Sequence, residues 1–134
     1  MTNKFGWSRY LAYLVISLAL IGCNSTKNRT EERAKERVIQ FIHLMSANKI
    51  EEAEKLLTRQ LREGENMELF IESFDDWELK DTSIVITVEE VSFYRPDDKN
   101  KAIVSFTVRN DKVDFTKMTS MPIKYEKGDW YLGG

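Results

Sequence analysis

The chain reads as an α+β protein in which N-terminal helices pack on an antiparallel sheet of about four strands. Three observations carry that reading. Apolar residues recur at helical spacing between Ala34 and Phe74, and they alternate with polar ones from Ile84 onward. The change of period falls at the turn formers Asp81-Thr82-Ser83. Helices therefore precede strands, unlike the alternating order of a parallel α/β sheet.

Residues 1–22 read as a removable address. Met1 to Tyr10 carries Lys4 and Arg9 and no acid, and Leu11 to Gly22 carries no charge. A basic stretch, an apolar core of roughly 7–15 residues and then small residues is the layout of a secretory signal. A permanent spanning helix takes about 20 apolar residues, so this run is short for one. No Ala-x-Ala site closes it. Its end, Leu20-Ile21-Gly22-Cys23, instead resembles the lipobox of bacterial lipoproteins. That resemblance implies cleavage after Gly22, a diacylglyceryl group on the Cys23 thiol, acylation of the new amine, and a lipid-anchored place in the cell envelope. Asn24 after the cysteine is similar to lipoproteins sent to the outer membrane, in an organism that has one. Cys23 is the only cysteine, so no disulfide can form within the chain.

Cleavage there leaves a little over a hundred residues, enough for one domain with one core. Residues 23–30 read as a flexible tether bearing the acylated Cys23, and residues 31–134 as the domain. Losing Lys4 and Arg9 takes the basic residues from 20 to 18 against 22 acidic ones, a net charge of −4. No basic block stands out, which argues against nucleic acid as a partner.

Within the domain, Thr30 suits a helix N-cap, and Glu31 and Glu32 suit the positive end of the helix dipole. Ala34, Val38, Phe41, Ile42 and Met45 then fall on one face of a helix of about four turns. Asn48-x-x-Glu51 reads as a capping box that opens a second helix carrying Ile50, Ala53, Leu56, Leu57 and Leu61, with Gly64 at its end. A third helix is expected from Asn66 to about Asp75, with Met67, Phe70, Ile71 and Phe74 on its apolar side. Trp77 closes the helical half.

The first strand alternates through Ile84, Ile86 and Val88, and then Val91 and Phe93 take the opposite parity. One extra residue restores the apolar face, so Glu89-Glu90 is predicted to be a bulge. Arg95 to Asn100 reads as a turn, and Ala102, Val104, Phe106 and Val108 as the second strand. After a turn at Asn110-Asp111, a third strand is expected from about Lys112 to Tyr125, broken near Ser120 to Pro122. Lys127-Gly128-Asp129 turns into a last short strand, Trp130-Tyr131-Leu132.

Two short helices joined by Met45 to Ala53, followed by a sheet ending in Lys127-Gly128-Asp129-Trp130-Tyr131, resemble the nuclear transport factor 2-like (cystatin-like) superfamily. Its small bacterial lipoprotein branch of unknown function is similar over roughly Glu31 to Leu132. The resemblance implies a curved sheet wrapped around the long helix, forming a cone with an apolar hollow. Members use such a hollow for isomerisation, dehydration, ligand holding or dimer contacts, so a homodimer is compatible with it. Fold does not choose among these uses.

Few residues carry chemistry. His43 is the only histidine, and it sits at the boundary of the first helix's apolar face, so a transition-metal site has little to build on. Asp97-Asp98 with Asn100 lacks the glycine and the distal glutamate of a calcium loop. An isomerase-like acid or base must point into the hollow. The polar residues that could do so are Glu90, Asp114, Tyr94, Tyr125 and His43. The aromatics Phe70, Phe74, Trp77, Phe93, Phe106 and Trp130 could line a pocket, with Phe115 and Tyr131 beside them, or could simply fill the core. No nucleotide loop, nucleophile elbow or zinc motif occurs, and no cofactor is implied. The sequence thus predicts an envelope protein that binds a protein or an apolar ligand without catalysis. A small isomerase or dehydratase, and a toxin-neutralising immunity-type protein, stand as the alternatives.

Overall fold

The computed structural model describes residues 27–77, 79 and 84–134. The signal segment, Cys23 and Asp81-Thr82-Ser83 lie outside the described residues. Among the described residues, four helices precede four strands: α1 (Glu31–Ser46), α2 (Ile50–Glu54), α3 (Arg59–Glu63), α4 (Met67–Glu72), β1 (Ile84–Arg95), β2 (Asp98–Asn110), β3 (Phe115–Glu126) and β4 (Asp129–Leu132). The strands form one antiparallel sheet in sequence order.

Thr30 starts α1 as its N-cap, its side chain accepting from the Arg33 amide at 3.1 Å. The predicted apolar stripe is the buried one: Ala34, Val38, Phe41 and Ile42 lose essentially all contact with solvent. The helix packs against β1, β2 and β4. From the sheet, Ala102, Val104, Phe106 and Val108 of β2 meet it together with Ile123, Trp130 and Leu132. This is one core between one helical layer and one sheet.

The strands follow the predicted registers with instructive departures. Register slips between Val88 and Glu90, where the alternation changes parity, and a second slip lies between Phe93 and Arg95. The first turn is tighter than the Arg95–Asn100 expectation: Arg95 already pairs with Asp98, leaving Pro96 and Asp97 to turn the chain. The β3 strand begins at Phe115, not Lys112, because residues 111–114 form the turn and Asp114 adopts a left-handed φ of 52°. No break occurs at Ser120 to Pro122. Pro122 pairs with Ile103, and its carbonyl accepts from Gly133 N at 2.8 Å. Its ring nitrogen faces that same side, so no bond of the β2–β3 ladder is lost. At Lys127-Gly128 both φ values are positive (50° and 82°), as a two-residue hairpin turn of the twist-matching type requires.

The helical half departs further. The second helix, expected to run to Gly64, stops at Glu54 and restarts at Arg59. Thr58 is the reason. It is buried, its hydroxyl caps α3 by accepting from Leu61 N, and its own amide donates to Leu132 O. Leu132 N donates to Leu56 O, so Leu56 to Thr58 covers the outer edge of β4. Gly64 does end α3, with an extended backbone. The third helix is shorter than predicted, giving way to turns after Glu72.

Candidate binding groove

The C-terminal end of α1 shapes the main concavity. Asn48 does not cap α2 as the capping-box reading had it: the α2 N-cap is Lys49, without a side-chain bond. Asn48 instead holds a left-handed φ of 58°, its amide donating to Met45 O and the Lys49 amide to Leu44 O. That pair of bonds is a Schellman closure, in which asparagine tolerates a conformation that other non-glycine residues resist. The capping box lost because a sharp reversal after α1 needs a left-handed residue first.

The reversal opens a groove of about 650 Å³. Met45, Ile50, Phe74, Trp77 and Leu79 supply its apolar wall, and Ser46, Ala47, Asn48 and Asp75 its remaining lining. A smaller hollow of about 390 Å³ continues from it over Lys49, Glu51 and Glu52. Rings stack edge to face behind the wall: Phe74 lies 4.7 Å from Trp77, 5.4 Å from Phe70 and 5.4 Å from Phe41. Trp77 reaches Phe106 at 6.4 Å.

The predicted aromatic set therefore divides. Phe74 and Trp77 line the groove; Phe70 and Phe106 back it. Phe93 and Trp130 belong to a second cluster with Tyr125, where Trp130 is fully buried and its indole N–H has no hydrogen-bond partner among the described residues.

Of the polar candidates, Tyr125 alone joins a cluster, and the others do not reach either one. Glu90 pairs with Ser105 on the sheet face away from α1 and is exposed. Asp114 sits in an exposed turn, Tyr94 projects from the second bulge at 53% exposure, and His43 faces solvent on α1. Tyr125 packs against Trp130 and under the Arg29 guanidinium. Among the described residues, no three His, Cys, Asp or Glu side chains come together to hold a metal ion. Among the described residues, Asp75 is the one ionisable side chain in the main groove's lining, and no base is paired with it there.

One polar cluster escaped the sequence reading. Arg33 grips Asp129 through two bonds of 3.0 and 2.8 Å, and buried Arg37 donates from Nε to Trp130 O at 2.8 Å. Arg37 also lies 3.8 Å from Asp129 and stacks over Tyr131. Asp129 accepts from the Trp130 amide at 2.9 Å. These side chains occupy the backbone edge that β4 would otherwise present. The Arg33 pKa is raised, chiefly by its bond to Asp129 and against the effect of burial. Burial pulls the Arg37 pKa down, partly offset by Asp129. For Asp129, burial pushes upward, yet the bonds from Arg33 and Trp130 N and the charges of Arg37 and Arg33 together hold it below its ordinary value. The available signal was two arginines four apart, flanking the apolar stripe.

The chain matches no family model, no curated protein and no solved structure. The fold and the groove carry the functional argument by themselves.

Proposed function

We propose that this protein is a bacterial envelope lipoprotein, anchored through Cys23, whose single nuclear transport factor 2-like domain binds a protein or an apolar ligand without catalysing a reaction. The anchor part rests on the sequence Leu20-Ile21-Gly22-Cys23 at the end of a short uncharged run. The superfamily part is supported by helices followed by an antiparallel meander that packs on the long helix. The binding part rests on one observation: the groove wall is apolar and aromatic, while His43, Glu90 and Asp114 are exposed and lie outside its lining.

Two measurements test the reading. Wild-type protein should incorporate labelled fatty acid, and Cys23→Ser should abolish it; unlabelled wild type with Met1 still attached refutes the anchor. For the groove, Trp77→Ala should impair biological function beyond its stability loss, which is about 3–5 kcal/mol for a buried aromatic and less for a half-buried one. Glu90→Gln, Asp114→Asn and His43→Ala should each leave function nearly intact. Should one of those three abolish function at unchanged melting temperature, the isomerase or dehydratase reading replaces this one.

A further inference from the structure

The described chain begins beside the two hairpin turns at one end of the sheet. Asn28 Nδ2 donates to Gly128 O at 3.0 Å, Arg29 bonds Asn100 at 3.4 Å, and the Arg29 guanidinium lies over Tyr125. The groove lies past the other end of α1, whose 16 residues span about 24 Å. The molecule thus has a turn end, where the N-terminal segment docks, and a groove end.

The turn end carries free positive charge. Lys27, Arg95, Lys99, Lys101 and Lys127 are exposed and make no ion pair among the described residues. Lys101 stands directly opposite Lys124, whose one ion-pair partner among the described residues is Glu126 at 3.9 Å; like charges directly opposite cost stability, and a further anion against Lys101 would relieve them. The acids at this end are mostly engaged. Asp98 accepts from Asn100 N, Glu126 from Arg59 N, Asp129 holds Arg33, and Glu32 and Glu36 pair within α1. Counted by ion pairs, as for the cations, Glu31, Asp97 and Asp98 stand unpaired among the described residues against five free cations. Tyr94, 53% exposed, lies beside Lys101 and Lys124, and a phenol with an apolar body suits a headgroup boundary. The opposite sign gathers in residues 49–77, which open and close the groove: nine acids against four bases.

We propose that the turn end of the sheet rests on an anionic lipid surface, with phosphate headgroups against Lys99, Lys101 and Lys127, so that the groove faces away from the bilayer. This orientation rests on the anchored reading, because Cys23 is only four residues ahead of Lys27 and holds these lysines near the headgroups. A lipid chain supplies attachment, and a basic patch supplies a second, orienting contact. Each Lys or Arg near an anionic leaflet favours the contact about fivefold, and the acidic helical segment is repelled by the same field.

Lysine acetylation footprinting by mass spectrometry tests it on protein extracted from membranes and reconstituted into vesicles. The vesicles are phosphatidylcholine alone or enriched in phosphatidylglycerol. With phosphatidylglycerol, modification of Lys99, Lys101 and Lys127 should slow about fivefold or more relative to phosphatidylcholine, while Lys49, Lys55 and Lys117 should react at unchanged rates. Salt of about 1 M, where the Debye length is about 3 Å, should erase the difference. The double substitution Lys99→Glu with Lys101→Glu, on exposed positions, should erase the Lys127 protection without lowering the melting temperature, since the carboxylate introduced at position 101 would face Lys124. Protein retained on both vesicles with no difference between the two lysine groups overturns the orientation and leaves the anchor standing. Loss from phosphatidylcholine vesicles, with retention and the same protection on phosphatidylglycerol, upholds the basic surface and overturns the anchor. Protein bound to neither overturns both.

Discussion

Replacing Arg37 by methionine isolates what the guanidinium does at the edge of β4. The substitution keeps an unbranched apolar stem in the same place, so little packing is lost. What disappears is the 2.8 Å bond from Nε to the Trp130 carbonyl, in a side chain only 9% exposed. An orphaned buried acceptor costs about 1–3 kcal/mol, and the lost stacking over Tyr131 about 0.5–1 kcal/mol more. Asp129 keeps Arg33 at 2.8 Å, so no charge is stranded and the larger penalty of a broken buried pair does not apply. The expected loss is therefore about 1.5–4 kcal/mol. For a domain of this size each kcal/mol moves the melting temperature by about 4–8 °C, so a fall of at least about 6 °C is predicted. Circular dichroism on heating, and urea titration with an unchanged m-value, measure it. A methionine variant within about 0.5 kcal/mol of wild type would mean that water or another donor satisfies that edge as well as Arg37 does.

Four further outcomes follow from the same structure. Asn48→Gly should be neutral or stabilising and Asn48→Ala should cost about 1 kcal/mol, because the site needs a left-handed residue; a loss on Asn48→Gly as large as that on Asn48→Ala in urea titration contradicts the left-handed closure. Gly133→Ala should destabilise strongly: its φ is 123° and a Cβ would meet Thr58 Oγ1 at 2.8 Å, so a variant melting near wild type contradicts the packing of residues 56–58 on β4. Thr58→Ala should cost about 1–2 kcal/mol through loss of the α3 cap, visible as a lower urea midpoint. Asp129 has a folded pKa below the unfolded value of about 3.9, so its contribution is complete above that value and is lost as pH falls through the folded one. Asp129→Asn should therefore lower stability at neutral pH and flatten the acid limb of the stability profile; an unchanged limb refutes the linkage.

The residues that local rules could place are those whose neighbours lie close in sequence. The α1 stripe, the Thr30 cap, the slip after Val88 and the Lys127-Gly128 turn each depend on a window of a few residues. Where a distant strand intervenes, local reading fails. Thr58 looks like a helix interior until Leu132 offers it a carbonyl, and Asn48 looks like a cap until α1 has to reverse. The groove was half legible. Phe74 and Trp77 line it, whereas Phe93 and Trp130 sit in the other cluster; composition does not tell which end of a sheet a ring occupies. Glu90 was misjudged through parity: the bulge that keeps Val91 and Phe93 on the core side puts Glu90 opposite Ser105, on the other face.

The closing strand has a kinetic consequence. Trp130 and Leu132, among the largest wholly buried side chains, belong to the last strand of the sheet, yet their partners include α1 and Leu56 to Thr58. Such closure spans more than ninety residues at the Arg37–Trp130 bond, so little of the core can lock before β4 has been made. Synthesis from the N-terminus then yields a domain that stays loose until β4 appears. Moving β4 ahead of α1 by circular permutation should shorten that wait, and a faster refolding rate would register the change.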